Sequence, residues 1–240
     1  MRPAVPILII ACLFAITAAA GESAISPFSQ ARRGIEMPRG WQPLVIPGIA
    51  PSRFSFVSDA DVTVLRAESV ASAGTLAYML RIDPASHPLL TWRWKVDHVL
   101  SRADLGLRAG DDFAARVYVF FDVALESLPF TARAKMRFSR FFYGPALPIA
   151  SLCYVWDNKN IVGTSVWSAY TDRVRIIVLE SGQEKTGRWV TETRDIADDF
   201  KAAFGHEPPA VTGIAIGNDS DQTGETALAW FGDFSFRTKP

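Results

Sequence analysis

The clearest alternation of apolar and polar positions lies in Leu89–Asp122. In its first half Leu90, Trp92, Trp94 and Val96 alternate with Thr91, Arg93, Lys95 and Asp97. In its second half Phe113, Ala115, Val117, Val119 and Phe121 share one parity, and Asp112, Arg116, Tyr118 and Phe120 share the other. A period of two marks strands whose two faces meet different surroundings. The apolar parity predicts a core layer containing Trp92 and Trp94. The other parity, which mixes charge with aromatic rings, predicts a polar face across two neighbouring strands joined by a polar loop.

The same reading extends along the chain. Ser26-Pro27 can open a short helix, and Trp41–Pro51, with Pro43, Pro47 and Pro51, is expected to thread along a surface. Arg53–Asp59 and Val62–Ser69 read as a hairpin about Asp59-Ala60-Asp61, and Ala77–Asp83 as a strand closed by Pro84. After Pro148, strands are predicted at Leu152–Trp156, Thr164–Tyr170, Val174–Glu180, Arg188–Thr193, Val211–Gly217 and Ala227–Phe236. One helix stands out. Asp195 can cap it, Ile196, Phe200 and Phe204 recur every fourth residue, and Gly205 followed by Pro208-Pro209 ends it. Roughly ten short strands with one or two short helices predict a mainly β fold, a jelly-roll-like β-sandwich.

Two segments fall outside this pattern. Arg2, the apolar run Val5–Thr17 and Ala18-Ala19-Ala20 have the order of a cleaved secretory signal peptide over residues 1–20. Ile9-Ile10-Ala11-Cys12 also permits a lipidated alternative at Cys12. The expected mature chain, residues 21–240, is a single exported domain. Pro129–Pro148 reads as a basic amphipathic helix, with Phe138, Phe141 and Phe142 on one stripe and Arg133, Arg137 and Arg140 on another. It is either a lid on the sandwich or a contact for an anionic envelope surface.

Composition narrows the function classes. Lys plus Arg and Asp plus Glu number 25 each, so the net charge is zero and a dedicated nucleic-acid binder is not expected. Of the two cysteines, Cys153 alone lies beyond the N-terminal segment, so no disulfide can brace an exported domain. Set in the apolar run LCYVW, it reads as a packed, inert thiol. His87, His98 and His206 are scattered, and neither an H-E-x-x-H pattern nor a G-x-S-x-G elbow occurs.

Several motifs occur in order: Trp92-Arg93-Trp94-Lys95-Val96, Gly110-Asp111-Asp112-Phe113 continuing to Val119, Tyr154-Val155-Trp156, Arg194-Asp195 through Phe204-Gly205, Asn218–Thr223 and Trp230-Phe231-Gly232-Asp233. From about Trp41 onward the chain resembles domain-of-unknown-function family 3047 of exported bacterial proteins. The resemblance implies a periplasmic setting and no established activity, so it supplies no catalytic residues. The closing acidic turn and aromatic strand are also similar to those of galactose-binding and carbohydrate-binding sandwiches, a likeness of fold alone.

Two candidate sites follow from the residues. Arg93, Lys95, Asp112, Arg116 and Tyr118 on the polar parity combine rings with directional hydrogen-bonding groups, the mixture that binds a glycan or a small polar ligand. The alternative is an internal ion-pair network of Arg93 or Arg116 with Asp112 or Asp122. Asp219-Ser220-Asp221-Gln222-Thr223-Gly224 matches the first half of a calcium loop, but its twelfth position is Trp230 rather than a bidentate Glu. A Ca2+ site on Asp219, Asp221 and Thr223 therefore needs a further carboxylate, with Asp233 or Asp111 as candidates; the alternative is a plain Asx turn. Carboxylates at Asp111, Asp112, Asp157, Glu180, Glu192 and Asp233 leave a glycosidase pair open as a second function. The preferred expectation is a non-enzymatic binding or accessory module, with a carbohydrate-active hydrolase and an envelope-surface interaction protein as alternatives.

Overall fold

The computed structural model describes residues 25–44, 48–127, 130, 133 and 149–240. The predicted signal segment, Cys12 and nearly all of Pro129–Pro148 lie outside the described residues. Of the basic stripe only Arg133 is described, and its guanidinium donates to the Glu126 carbonyl at 2.6 Å. Among the described residues no helix is long and apolar enough to cross a membrane.

The strands in chain order are β1 (Trp41–Leu44), β2 (Arg53–Asp59), β3 (Val62–Val70), β4 (Ala73–Ile82), β5 (Leu89–Val96), β6 (Arg116–Phe121), β7 (Ala150–Asp157), β8 (Ser165–Ser168), β9 (Thr171–Ser181), β10 (Val190–Asp195), β11 (Val211–Asp219), β12 (Thr226–Phe231) and β13 (Ser235–Arg237). One sheet has the order β1-β4-β11-β6-β7-β9-β8 and the other β10-β5-β12-β3-β2, with β13 also on β5. The chain alternates between the sheets through β3, β4, β5 and β6 and again from β9 to β12. The result, β3-β12-β5-β10 in one sheet and β4-β11-β6-β7 in the other, is the jelly-roll order, two interleaved Greek keys.

Local chemistry accounts for several joints. Ala60 and Asp61 take positive φ, as a two-residue hairpin loop between β2 and β3 requires. Pro27 precedes a short 3-10 turn, Phe28–Gln30, and Trp41 is a buried residue of an edge strand rather than part of a surface thread. The predicted helix, α1 (Ile196–Phe204), is present. The Asp195 carboxylate accepts from the Ala197 and Asp198 N–H groups at 3.1 Å, and Gly205 adopts the left-handed cap at φ 77°. Its Phe200 packs on Phe121 at 4.4 Å and closes one end of the sandwich.

Between the sheets Trp92, Trp94, Tyr154, Trp156 and Phe231 are almost fully buried. Trp92 meets Trp94 edge-on at 5.5 Å and Trp94 meets Trp156 at 5.9 Å. Each such side chain contributes about 1.5–3 kcal/mol by leaving water, and no disulfide is needed to hold the layers. The tryptophans thus look inward, as the alternation predicts. The expected pairing of the two organising strands does not form. β5 lies between β10 and β12 in the six-stranded sheet, and β6 lies between β11 and β7 in the seven-stranded sheet. Strand β6 also starts late, at Arg116. Phe113 leaves the inner face and packs with Leu105, Cys153, Val155, Ile176 and Val178 on the outside of the seven-stranded sheet.

Candidate functional site

The split of β5 from β6 divides the predicted polar face in two. Arg93 and Lys95 stand on the outer face of the six-stranded sheet. Arg116 and Tyr118 stand on the outer face of the opposite sheet, beneath Phe113 and the segment that carries it.

On the six-stranded sheet the register sets up a row. Lys95 of β5 is opposite Trp230 of β12, which is opposite Arg66 of β3. Trp189, just before β10, closes the row from the other side. The Lys95 ammonium lies 4.5 Å from the Trp230 ring centre and 5.1 Å from that of Trp189, and the Arg93 guanidinium lies 4.4 Å from Trp189. Both indoles are half-buried, so ring surface remains open. Asp59 pairs with Lys95 and accepts from the Trp189 indole N–H at 3.0 Å. The Lys95 hydrogen bond holds the Asp59 carboxyl below its usual range. The Arg93 guanidinium donates no hydrogen bond to another described residue and lies over the Trp189 ring. It lies low because of Gly232, where a Cβ would come within 2.6 Å of Arg93 Cγ and Nε. Beside it is a hollow of about 280 Å³, lined with hydroxyls from Ser29, Thr63, Thr91 and Thr191.

The second cluster is buried. Arg116, its side chain 5% exposed, donates from Nε to Asp219 Oδ1 at 3.0 Å, from Nη1 to Asp111 and Tyr118 at 3.4 Å, and from Nη2 to the Asp111 carbonyl. Its Nη2 also lies 2.5 Å from Asp219 Oδ2. Burial opposes the Arg116 charge, yet Asp219, Tyr118 and Asp111 hold it firmly protonated. Burial pushes Tyr118 well up. Burial, helped by the neighbouring Asp112 and Asp111, also pushes Asp219 up to about 7 against the pull of Arg116. The expected roles of Arg116, Asp112 and Tyr118 on a shared ligand face are therefore corrected: Arg116 is enclosed and bound by Asp111, Asp219 and Tyr118, Tyr118 is half-buried, and Asp112 is fully buried beside them. The internal ion-pair alternative describes Arg116, with Asp111 and Asp219 as partners in place of Asp112 or Asp122. Asp122 pairs instead with Arg81 at 2.9 Å.

The acidic turn is only partly as expected. Asp219 and Asp221 come together with Asp112, one carboxylate oxygen from each lying within 4.8 Å of the others. Thr223 approaches Asp112 through its backbone N–H, at 2.6 Å. Asp233 is elsewhere. It accepts from the Ser29 N–H at 2.9 Å and hydroxyl at 2.6 Å and so fastens the Phe28–Gln30 turn to the sheet. Asp157 likewise orders its own loop, accepting from the N–H groups of Lys159 and Asn160. Sequence reasoning missed Trp189, Trp230 and Asp59. The signal for Trp230 was present, since Ala227, Ala229 and Phe231 point inward and leave it outward on the opposite parity.

A family profile, described as Protein of unknown function (DUF3047), matches residues 39–235. The chain belongs to this family. No curated protein matches the DUF3047 chain. Among solved structures it is similar to the glycoside hydrolase domain of Endo-D from Streptococcus pneumoniae R6, at 10% identity and TM-score 0.35, covering 82% of this chain but only 21% of that one. It is also similar to the xyloglucanase domain of NopAA, a type three effector from Sinorhizobium fredii in complex with cellobiose. That match has 11% identity and TM-score 0.46 over 88% of this chain and 100% of that one. The Trichoderma harzianum endoglucanase 3 from family GH12 aligns at 7% identity and TM-score 0.45, over 92% and 99%. Likenesses this distant carry no functional argument.

Proposed function

We propose that this DUF3047 protein is a non-enzymatic binding module for a carbohydrate or a related polar oligomer, held on the outer face of the six-stranded sheet. The observation that carries the reading is the row Trp189–Lys95–Trp230. Two half-open indoles stand on one face, with the Arg93 guanidinium and a hollow lined by Ser29, Thr63, Thr91 and Thr191 beside them. Indole faces stack on the apolar C–H surface of a sugar ring, while guanidinium and hydroxyl groups satisfy its hydroxyls. A shallow open face suits a polymer that lies across it. The signal-like N-terminus supports encounter with such polymers outside the cytoplasm; recovery of the chain with residues 1–20 intact from the cytoplasmic fraction would argue against export.

The test is a panel of soluble oligosaccharides read by tryptophan fluorescence. Weak, saturable binding to a subset is expected. Trp189→Ala and Trp230→Ala should each weaken it about tenfold or more, the loss of one stacking contact of about 1.4 kcal/mol, with the fold retained by far-UV circular dichroism. A flat panel, or full affinity in both variants, overturns the proposal.

A further inference from the structure

We propose a calcium site formed by Asp112, from the loop before β6, together with Asp219 and Asp221, from the turn between β11 and β12. Two oxygens bound to one calcium at about 2.3–2.6 Å lie at most about 5 Å apart. The three carboxylates meet that limit, each placing an oxygen within 4.8 Å of the other two.

A second observation is independent of their proximity. Asp112 is fully buried, and its two oxygens are treated unequally. Oδ2 accepts the Thr223 N–H at 2.6 Å, whereas Oδ1 has no hydrogen-bond partner among the described residues. An anionic oxygen enclosed without a donor is a costly arrangement in a folded protein. A cation between it and the turn removes that cost. The Ser220 hydroxyl, in the same turn, is also buried without a partner among the described residues.

Charge points the same way. Asp112, Asp219 and Asp221 converge beside Asp111, and among the described residues the one cation that contacts any of the four is Arg116, already bound by Asp111 and Asp219. Asp221 is more open, with Oδ2 taken by the Gln222 amide at 2.5 Å. An ion held by Asp112 and Asp221 would share Asp219 with Arg116. All donors of the set are hard oxygens with neither His nor Cys, which selects against zinc and copper. An irregular turn suits the flexible geometry of calcium better than the octahedron that magnesium demands. The turn therefore supplies the first half of a calcium loop, and Asp112, far away in sequence, adds the third carboxylate.

The full chain, stripped with EGTA, is titrated with CaCl2 alone and with MgCl2 alone by calorimetry and thermal melting. The expected result is saturable calcium binding at one site per chain and a melting temperature that climbs with the logarithm of calcium concentration. Asp112→Asn and Asp221→Asn should each weaken binding at least tenfold. Because Asp112 is buried and its variant can fail to fold, the more exposed Asp221→Asn carries the test in that event. No heat and no change in melting on adding calcium, or undiminished affinity in Asp221→Asn, overturns the site. An equal response to magnesium overturns its assignment to calcium. Neither outcome bears on the indole face of the other sheet.

Discussion

Replacing Glu192 with Gln should stabilise the protein at alkaline pH and leave it unchanged in acid. Glu192 sits on β10 opposite Trp92, on the parity that faces into the sandwich. Its Oε1 accepts the Trp94 indole N–H at 3.1 Å. The charged groups facing it are Glu180 of β9, which is bound by Lys185 at 2.7 Å, and Arg194 of its own strand. Burial first, and the Glu180 charge second, push Glu192 from 4.5 up to about 7. Between those two values the native state holds a proton that the unfolded chain has released. Stability is therefore full below about 4.5, falls as pH rises to about 7, and stays low above it. At about 1.4 kcal/mol per pKa unit the whole rise is worth about 3 kcal/mol. Partial exposure of Glu192 to water cuts this to about 1–2 kcal/mol. Gln keeps the acceptor for Trp94 and carries no charge, so Glu192→Gln should melt about 3–6 °C higher at pH 8 and within about 1 °C of the parent at pH 4. Scanning calorimetry of both chains at pH 4, 6 and 8 reads this as a difference, in which other titrating groups, Asp219 among them, cancel. A gain of the same size at every pH, or a loss at pH 8, would refute the assignment of the penalty to the Glu192 charge.

Two further outcomes follow from packing. Gly110→Ala should cost about 1–3 kcal/mol, measured by urea denaturation, because the added Cβ would sit 2.6 Å from the Asp104 backbone nitrogen, which already donates to the Gly110 carbonyl at 2.7 Å. A variant as stable as the parent would show that the loop carrying Asp111 and Asp112 is not locked there. Cys153 is fully buried, and burial pushes its thiol up to about 12. In a Cys12→Ser chain at pH 8 an aromatic disulfide reagent should leave it unmodified until denaturant is added, and rapid labelling of the native protein would contradict the packing around Phe113.

Alternation along a strand states which side of its own sheet a residue takes. It does not state which sheet that is. Trp92 and Trp94 were therefore readable as core, and so were Val117, Val119 and Phe121. Arg93 and Arg116 had the same polar parity, yet they stand on opposite outer surfaces of a sandwich whose sheets pack about 10 Å apart. Sheet membership depends on partners distant in sequence, β10 and β12 for one strand and β7 and β11 for the other. The helix, by contrast, was legible to the residue, because its cap Asp195, its apolar spacing and its terminating Gly205 are all local.

The same distinction explains the mixed outcome for the acidic turn. Asp219 and Asp221 were visible as a local spacing, whereas Asp112 joins them only because β6 lies beside β11. Asp233 was misplaced by a break in register. Phe231 and Phe236 both face the core, and between them the Gly232 N–H still donates to the Arg93 carbonyl at 2.9 Å, after which Asp233 and Phe234 interrupt the register before β13 resumes on β5 at Ser235. That interruption turns Asp233 toward Ser29 and leaves Gly232 bare beneath Arg93. One irregularity thus removes a carboxylate from the acidic turn and creates the recess beside the indole row. The position that looked like a metal ligand instead shapes the outer face of the six-stranded sheet, and the two proposed sites belong to different sheets with no residue in common.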